Sequence, residues 1–593
     1  MCGIAGDLRF DGTDSDPAAL MAMADVMAPR GPDGSGLVMR GAAGLAHRRL
    51  KIIDLSEAGR QPMEDSELGL TLAFNGCIYN HKALRAELEA KGYQFFSTSD
   101  SEVILKAYHA WGLDCVQRFN GMFAFAIRER DSGKTVRARD RMGIKPLYLA
   151  DTPDGLRFAS SLPALLAAGN IDRTIDPVAL HHYFSFHAVV PAPHTLFKGI
   201  RKLPPATVLE ISKDGERKQR GYWQPDYDPL PEERDLTADD WHDRVESELK
   251  AAVRRRLVAD VPVGVLLSGG LDSSLIVGLL DDAGATELNT FSIGFETVGE
   301  EKGDEFEYSD IVARHFGTRH HQIPVETDRA LPALSRTIGA MSEPMTSHDC
   351  VGFFLLSEEV SKHVKVVQSG QGADEIFAGY HWYPPMAGAN DPLTTYRKAF
   401  FDRDQAEMAR LVPAEILADD PSTAFVKRHF AMPGADEPVD KALRLDSHIM
   451  LVDDPVKRVD NMTMAHGLEA RVPFLDHELV EIAARCPAEL KMAEGGKGIL
   501  KTIARKHIPH EVIDRPKGYF PMPALKYLRG PYLDMVRDAV HSKGFTDRGL
   551  VNPDYVEELL ADPEGHITPL RGSKLWQVGV LALWLDQHDR VAA

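Results

Sequence analysis

The chain has 593 residues, 44% of them hydrophobic and 26% charged, which is typical of a globular protein with more than one domain. A formal net charge of −20 and the lack of a Lys/Arg-rich block exclude nucleic acid as an expected partner. Apolar runs stay below the ~20 residues of a membrane span, and the first residues lack the apolar core of a signal peptide, so we expect no membrane partner. Five cysteines without a C-x-x-C pair predict a location in the reducing cytoplasm.

A cysteine stands at position 2, directly after the initiating methionine. Once that methionine is removed, Cys2 carries the free α-amine, which can act as general base for its own thiol. The amine titrates at about pH 8, so a useful fraction is unprotonated at neutral pH. Cys2 is therefore a candidate nucleophile that needs no separate histidine.

Three local patterns follow Cys2 in the first part of the chain. Residues 46–54 are predicted to form a strand with polar residues at its exits. Asn75-Gly76 is a strong turn signal between apolar residues. Residues 98–102, Thr-Ser-Asp-Ser-Glu, are predicted to cap a helix over residues 103–111.

Two later segments, residues 121–127 and 139–148, complete the set. In this order, the segments resemble the glutaminase domain of class II amidotransferases. The resemblance covers about residues 2 to 205. It implies the α/β fold of the amino-terminal-nucleophile (Ntn) hydrolases, a four-layer αββα sandwich of two antiparallel sheets between helices. It also implies that Cys2 attacks the side-chain amide of L-glutamine.

The same resemblance assigns the other residues of this site. The Asn75 side chain and the Gly76 N–H would form the oxyanion hole, with roughly 3 kcal/mol for each donor. Arg49 would bind the α-carboxylate of glutamine as a bidentate fork, and Asp100 would bind the α-ammonium. As bare sequence features, Arg49 is equally a surface charge and Asp100 a helix cap.

One residue departs from the family pattern. Asparagine synthetases usually carry Glu in the Asn-Gly-Glu-Ile-Tyr-Asn string, where this chain has Cys77. A carboxylate that helps to hold the ammonium is thereby lost, so Asp100 must do more or glutamine affinity falls. A structural explanation is also open, because a cysteine often serves as a small buried apolar residue.

A proline-rich and charged stretch separates the two halves of the chain. We predict a glutaminase domain over residues 2–220, a linker over residues 221–235 and a second domain over residues 236–593. A helix over residues 238–257 is predicted to open the second domain.

The second domain contains the most specific motif, Ser-Gly-Gly-Leu-Asp-Ser-Ser at residues 268–274. It lies between a predicted strand over residues 263–267 and a predicted helix. Such a turn is an anion site, because free N–H groups and the helix dipole point at the ligand. Asp272 would repel phosphate unless Mg²⁺ lies between them. No Lys follows the glycines as in a Walker loop, and the string resembles the pyrophosphatase-type loop of enzymes that adenylylate a substrate with ATP.

A second glycine-rich turn, Ser-Gly-Gln-Gly-Ala-Asp-Glu, occupies residues 369–375 after a predicted strand over residues 364–368. The alternation of strands and helices predicts a doubly wound α/β sheet that binds the nucleotide at the carboxyl ends of its strands. Asp272 and Asp374 each follow such a strand, so we expect them to meet at one Mg²⁺. Taken alone, either acid is more often a helix cap.

This half resembles the synthetase domain of asparagine synthetases, most clearly at residues 459–462, 467–476 and 515–520. The resemblance implies a PP-loop ATP pyrophosphatase (adenine nucleotide alpha hydrolase-like) fold. It also implies that Lys517 neutralises phosphate charge during adenylylation and amide formation. It places ATP on Leu267, Ser268, Gly269, Gly270, Asp272, Ser273, Ile293, Ser369 and Gly370.

A second departure concerns the acceptor. Asparagine synthetases carry Glu in the string Ser-Gly-Glu-Gly, where it acts as a base near the incoming amine, whereas this chain has Gln371. A neutral amide cannot take a proton, so another group or solvent must do so. We expect Gln371 and Glu375 to line the acceptor pocket, and aspartate is then not the obvious substrate.

Residues 74–80, 180–193 and 369–375 most resemble a bacterial subfamily that amidates N-acetylglutaminylglutamine to an osmolyte. We therefore expect that dipeptide to be the carboxylate acceptor, preferred over aspartate by at least about 100-fold in kcat/KM. The products would be an amide, glutamate, AMP and pyrophosphate, and the resemblance is compatible with a homodimer. Two alternatives stay open: an asparagine synthetase acting on aspartate, and a non-catalytic scaffold, against which the intact site residues argue.

Overall fold

The computed structural model describes residues 2–296, 304–515 and 528–590. Within these ranges the strands form three sheets, two of six strands and one of five. The first two sheets contain β1 (Gly3–Arg9), β2 (Gly34–Arg40), β3 (Ala43–Arg49), β4 (Met63–Asp65), β5 (Leu70–Ile78), β6 (Gly121–Glu129), β7 (Thr135–Arg139), β8 (Tyr148–Thr152), β9 (Gly155–Ala159), β10 (Ile200–Lys202), β11 (Thr207–Ile211) and β12 (Arg217–Gly221). The third contains β13 (Val263–Leu266), β14 (Asn289–Phe295), β15 (Arg319–Val325), β16 (Val366–Gln368) and β17 (Glu469–Arg471).

The α-helices divide between the two halves of the chain. Those packed with the first two sheets are α1 (Pro17–Val26), α2 (His81–Ala90), α3 (Asp100–Trp111), α4 (Cys115–Arg118), α5 (Leu162–Ala167) and α6 (Pro177–Ser185). Those of the second half are α7 (Ala238–Arg255), α8 (Leu271–Asp282), α9 (Phe306–Phe316), α10 (Thr327–Ala340), α11 (Asp349–Val360), α12 (Ala373–Ile376), α13 (Tyr383–Met386), α14 (Pro392–Phe400), α15 (Gln405–Leu411), α16 (Pro421–Phe430), α17 (Pro438–Leu445), α18 (Lys457–Met464), α19 (His477–Arg485), α20 (Ala488–Met492), α21 (Gly498–Ala504), α22 (His510–Ile513), α23 (Pro531–Val540), α24 (Lys543–Thr546), α25 (Pro553–Ala561) and α26 (Lys574–Arg590). Two π-helical segments, Asp446–Met450 and Val452–Val456, precede α18.

Two antiparallel sheets stack face to face in the first half, in the orders β10-β8-β9-β1-β3-β2 and β12-β11-β7-β6-β5-β4. Strand β6 shows why they do so, because its side chains alternate between two environments. Phe123 and Phe125 pack with the helical layer of α2 and α3, whereas Ala124 and Ala126 lie between the sheets. Helices α1, α5 and α6 cover the other sheet. The predicted four-layer αββα sandwich is therefore confirmed.

The third sheet is parallel, with the strand order β15-β14-β13-β16-β17. Val265 on β13 packs with α7 and α8, and the next residue, Leu266, packs with the helices on the opposite face. Because both faces are covered, the sheet is doubly wound, as predicted. β13 lies between β14 and β16, so the loops that follow β13 and β16 open a crevice at the topological switch point.

One local prediction is wrong. Asn75-Gly76 is not a turn but lies inside β5, where Asn75 pairs with Ala124 and Gly76 with Phe123. The long-range ladder with β6 overrides the local turn preference of the dipeptide. Helix α9 ends at Gly317, whose φ of 62° is the left-handed conformation that glycine adopts readily.

Buried ion pairs connect the two halves of the molecule. Asp460 on α18 lies 2.9 Å from Arg30 Nη1 and 3.4 Å from Lys145 Nζ. Burial opposes the charge of Asp460, but Arg30 and Lys145 outweigh it and lower its pKa. Lys365 and Asp33 form a further pair at 2.7 Å. These contacts fix the two halves against each other, so residues of both can line one site.

Within the described ranges, every helix is too short or too polar to cross a bilayer.

Candidate active sites

The residues predicted for glutamine converge on one pocket. Cys2, Arg49, Gly76 and Asp100 all line it, and they come from β1, β3, β5 and α3 respectively or from the residues next to them. Residues from the second half of the chain, Glu469 and Arg471, line the same pocket.

A hydrogen bond connects Cys2, beside one sheet, with Asn75 on the other sheet. The backbone nitrogen of Cys2 donates a hydrogen bond to Asn75 Oδ1 at 3.0 Å. Asn75 is fully buried, and its Nδ2 has no hydrogen-bond partner among the described residues. A buried donor without a partner costs free energy, so the group is poised to donate to a ligand in the pocket. Burial raises the pKa of the Cys2 thiol, which increases its need for a nearby base.

Gly76 permits the close approach of β5 and β6 beside the pocket. Its φ is 154°, and a Cβ at this position would lie 2.1 Å from Met122 O. Neither strand can move aside without losing hydrogen bonds between β5 and β6, so a side chain at this position is excluded sterically.

We expect Gly76→Ala to destabilise the protein by about 1–3 kcal/mol, because the added methyl overlaps backbone atoms. Glutaminase activity should fall as well, since β5 also carries Asn75. Thermal unfolding and glutamate release would measure the two effects. Gly221→Ala, in a strand of the same sheet, is the control, because its nearest neighbour for a Cβ is Ala206 O at 3.9 Å. Equal behaviour of the two variants would contradict this explanation.

Arg49 is buried, so the alternative that it is merely a surface charge is wrong. Its guanidinium donates to Ser56 O at 2.9 Å and to Asp54 O. These backbone carbonyls orient one edge of the guanidinium, and the side chain lines the pocket. A fixed planar cation in a buried pocket suits a carboxylate ligand.

Asp100 is the first residue of α3, and the N-cap is Ser99, whose hydroxyl accepts from Ser101 N. The alternative role of Asp100 as the cap residue is therefore wrong. Its Oδ2 accepts a hydrogen bond from Ile78 N at 3.0 Å, which turns the carboxyl group towards β5. Burial raises the pKa of Asp100.

The predicted nucleotide loop follows β13 and is held by its own serines. Ser268 N donates to Ser273 Oγ at 3.2 Å, and Gly270 N donates to Ser268 Oγ at 3.3 Å. Gly269 has a φ of 71°, and a Cβ there would lie 2.6 Å from Ser309 N. Gly270 is the N-cap of α8, so the helix N-terminus opens at the end of the loop.

The two glycine-rich loops touch, because a Cβ on Gly370 would lie 2.9 Å from the Asp272 Cβ. β13, β14 and β16 are neighbours in the sheet, so their carboxyl ends bring the predicted nucleotide residues to one edge. That set is Leu267, Ser268, Gly269, Gly270, Asp272, Ser273, Ile293, Ser369 and Gly370.

Lys497, just before α21, joins the two aspartates that we predicted to bind a metal. Its Nζ lies 2.7 Å from Asp272 Oδ2 and 2.9 Å from Asp374 Oδ2. Burial opposes the charge of this lysine, but the two aspartates outweigh it and raise its pKa. Sequence reasoning missed Lys497, although the glycines that flank it in Gly-Gly-Lys-Gly were an available signal. Lys517 lies outside the described residues.

The predicted acceptor residues lie on the same loop as Asp374. Gln371 is half-buried between Gly370 and Gly372, whose φ is 94°. The Glu375 carboxylate is buried and accepts a hydrogen bond from Tyr380 OH at 2.7 Å. Burial, followed by the charge of Asp374, raises the pKa of Glu375 to about 7. Sequence reasoning missed Tyr380, which lies between α12 and α13.

Two family models match successive parts of the chain. Residues 1–223 match the glutamine amidotransferase domain family, and residues 244–586 match the asparagine synthase family. The glutamine-hydrolysing asparagine synthetase 1 of Bacillus subtilis (strain 168) is 31% identical over 98% of this chain and 96% of that protein. Asparagine synthetase 3 of the same organism is 32% identical over 88% of this chain and 87% of that protein. Asparagine synthetase B of Escherichia coli (strain K12) is 30% identical over 88% and 82%. The chain therefore belongs to the asparagine synthetase family, and it is a glutamine-hydrolysing, ATP-using amidotransferase.

Proposed function

We propose that Cys2 releases ammonia from glutamine and that the ammonia passes inside the protein to a carboxylate activated as acyl-AMP. The observation that carries this proposal is the convergence of Cys2, Arg49 and Asp100 on one buried pocket. The second domain contributes two touching glycine-rich loops at a switch point. The products are an amide, glutamate, AMP and pyrophosphate.

In the glutaminase reaction, the α-amine of Cys2 takes the proton of its own thiol after removal of the first methionine. The thiolate then attacks the carbonyl carbon of the glutamine side-chain amide, and the C–N bond breaks as the α-ammonium of Cys2 returns the proton to the leaving ammonia. Water hydrolyses the resulting thioester, which releases glutamate and the free thiol. Asn75 Nδ2, which has no partner among the described residues, and Gly76 N–H would stabilise the oxyanion. Arg49 would hold the α-carboxylate of glutamine, and Asp100 its α-ammonium.

In the synthetase reaction, the loops after β13 and β16 would hold ATP. The oxygens of Asp272 and Asp374 converge on one cationic atom, Lys497 Nζ, so this pair also fits Mg²⁺, which prefers hard oxygen ligands. Bound there, Mg²⁺ would neutralise charge on the phosphates of ATP. We propose that Lys497 itself contacts those phosphates, and that Lys517 adds a second positive charge.

An internal route for ammonia follows from its chemistry, because ammonia released to water would be protonated and lost. Residues of the second domain line the Cys2 pocket, which supports delivery across the contact between the two domains.

All five cysteines are free thiols, in keeping with the reducing cytoplasm as the place of reaction.

We propose aspartate as the acceptor, because the relatives that match nearly the whole chain are named as asparagine synthetases. The second candidate is N-acetylglutaminylglutamine, and the observation that favours it is Gln371. An amide at this position offers hydrogen bonds to an amide-rich acceptor that lacks an α-ammonium, whereas a carboxylate suits a compact zwitterion.

The acceptor assay separates the two candidates. We expect the wild-type enzyme, given ATP, Mg²⁺ and glutamine, to form asparagine and AMP in equal amounts from aspartate. Gln371→Glu should then speed asparagine formation, because a carboxylate can accept a proton from the incoming amine. A preference for the acetylated dipeptide of at least about 100-fold in kcat/KM would assign the second candidate instead.

A further inference from the structure

The glutamine pocket has a wall that the first domain does not supply. Glu469 and Arg471, on strand β17 of the third sheet, line it together with Cys2, Arg49 and Asp100. Both side chains are buried. Strand β17 is at the edge of its sheet and pairs with β16. Glu469 and Arg471 are two residues apart, so their side chains point to the same face of the sheet.

The Glu469 carboxylate is held in a fixed position. Arg471 Nε donates to Glu469 Oε1 at 2.6 Å, and Arg471 Nη1 donates to Arg256 O and Val258 O, each at 2.8 Å. The backbone is equally constrained, because Glu469 N donates to Lys365 O at 2.8 Å. A rigid carboxylate loses little side-chain entropy when it binds a cation.

The negative charge of Glu469 acts on both Cys2 and Asp100. Burial is the main reason for the raised pKa of Cys2 and of Asp100, and the negative charge of Glu469 adds to it in both cases. Burial also opposes the ionisation of Glu469, but the positive charge of the amino terminus, followed by those of Arg471 and Lys145, lowers its pKa to about 2. Glu469 is therefore a carboxylate at neutral pH.

The substrate explains why a second carboxylate is needed. Glutamine brings an α-ammonium, and at position 77, where asparagine synthetases resembling this chain carry Glu, there is a thiol. The Cys77 sulfur lies 3.7 Å from Arg471 Nη2, so the side chain that replaces the carboxylate faces the Glu469–Arg471 pair. Among the described residues, the carboxylates that line the pocket are Asp100 and Glu469.

We propose that Glu469 binds the α-ammonium of glutamine together with Asp100, so that the synthetase domain completes the glutamine site. This inference rests on the proposed glutaminase role of the Cys2 pocket. Arg471, on the same strand, accepts a hydrogen bond at its carbonyl from Ser369 N of the nucleotide loop at 2.9 Å. One three-residue strand thus contacts both active sites.

The test compares glutamine with 4-carbamoylbutanoate, which is glutamine without its α-amino group. Ammonia release is measured for both substrates with the wild-type enzyme and with Glu469→Gln. We expect the variant to lose roughly 10- to 100-fold in kcat/KM for glutamine, mostly through KM, because one charged partner is removed. The kcat/KM for the analogue should change little. The ratio of kcat/KM for glutamine to that for the analogue should therefore fall by about the same factor.

An equal loss for both substrates would overturn the inference, because it would show that Glu469 only supports the pocket. A wild-type enzyme that releases no ammonia from glutamine would instead overturn the proposed glutaminase function. Thermal unfolding of Glu469→Gln at the wild-type temperature would show that the variant folds. If it does not fold, Glu469→Asp keeps the charge and should show an intermediate preference for the amine, whereas full wild-type preference would count against the proposal. Glu478→Gln, which lies outside the pocket, should behave as wild type.

Discussion

Cys2→Ala is expected to abolish glutamine-dependent synthesis and to leave synthesis from free ammonium within about twofold of the wild-type rate. Glutamate release should fall by at least about 1,000-fold, because the reaction loses its nucleophile and the remaining groups act only through it. The synthetase site retains its loops, which lie on a separate sheet. Glutamate and AMP, followed in parallel with glutamine or ammonium as nitrogen donor, measure the two activities.

The control for this variant is Cys115→Ala. Cys115 is also a buried thiol of the first half of the chain, but it lies in the core between α3, α4 and the sheet. It should keep both activities. Loss of both activities in folded Cys2→Ala would contradict the assignment of two separate sites.

Asp272→Asn and Asp374→Asn are each expected to lower acceptor-dependent pyrophosphate release by at least about 100-fold, because each removes a charge that is proposed to hold the metal–ATP complex. Either change also leaves Lys497 with one carboxylate instead of two. Glutaminase turnover should persist, since neither residue lines the Cys2 pocket. Pyrophosphate and glutamate release are measured for each variant.

Asp281→Asn tests whether any loss of charge on this helix has the same effect. Asp281 lies on α8 with Asp272, but it is exposed near the other end of the helix. It should release pyrophosphate at the wild-type rate. Normal release from Asp272→Asn or Asp374→Asn would remove that residue from the proposed metal site.

The fold could be predicted well because its signals are local. Alternating side chains along β6 and the strand–turn–helix order around β13 each depend on residues that are close in sequence. The Asn75-Gly76 turn was predicted wrongly for the opposite reason. Its conformation is decided by β6, with Gly76 opposite Phe123, a partner that local propensity does not reveal.

By itself, the sequence determined the family, both domain types, the candidate nucleophile Cys2 and the two glycine-rich loops, since each is encoded in a short contiguous string. Only the tertiary structure decided that Lys497 joins Asp272 to Asp374 and that Glu469 enters the Cys2 pocket. Those contacts depend on the strand order of the third sheet and on the packing of one domain against the other. Side chains separated by hundreds of residues meet there because burial and charge pairing stabilise the assembled domains, which no local pattern records.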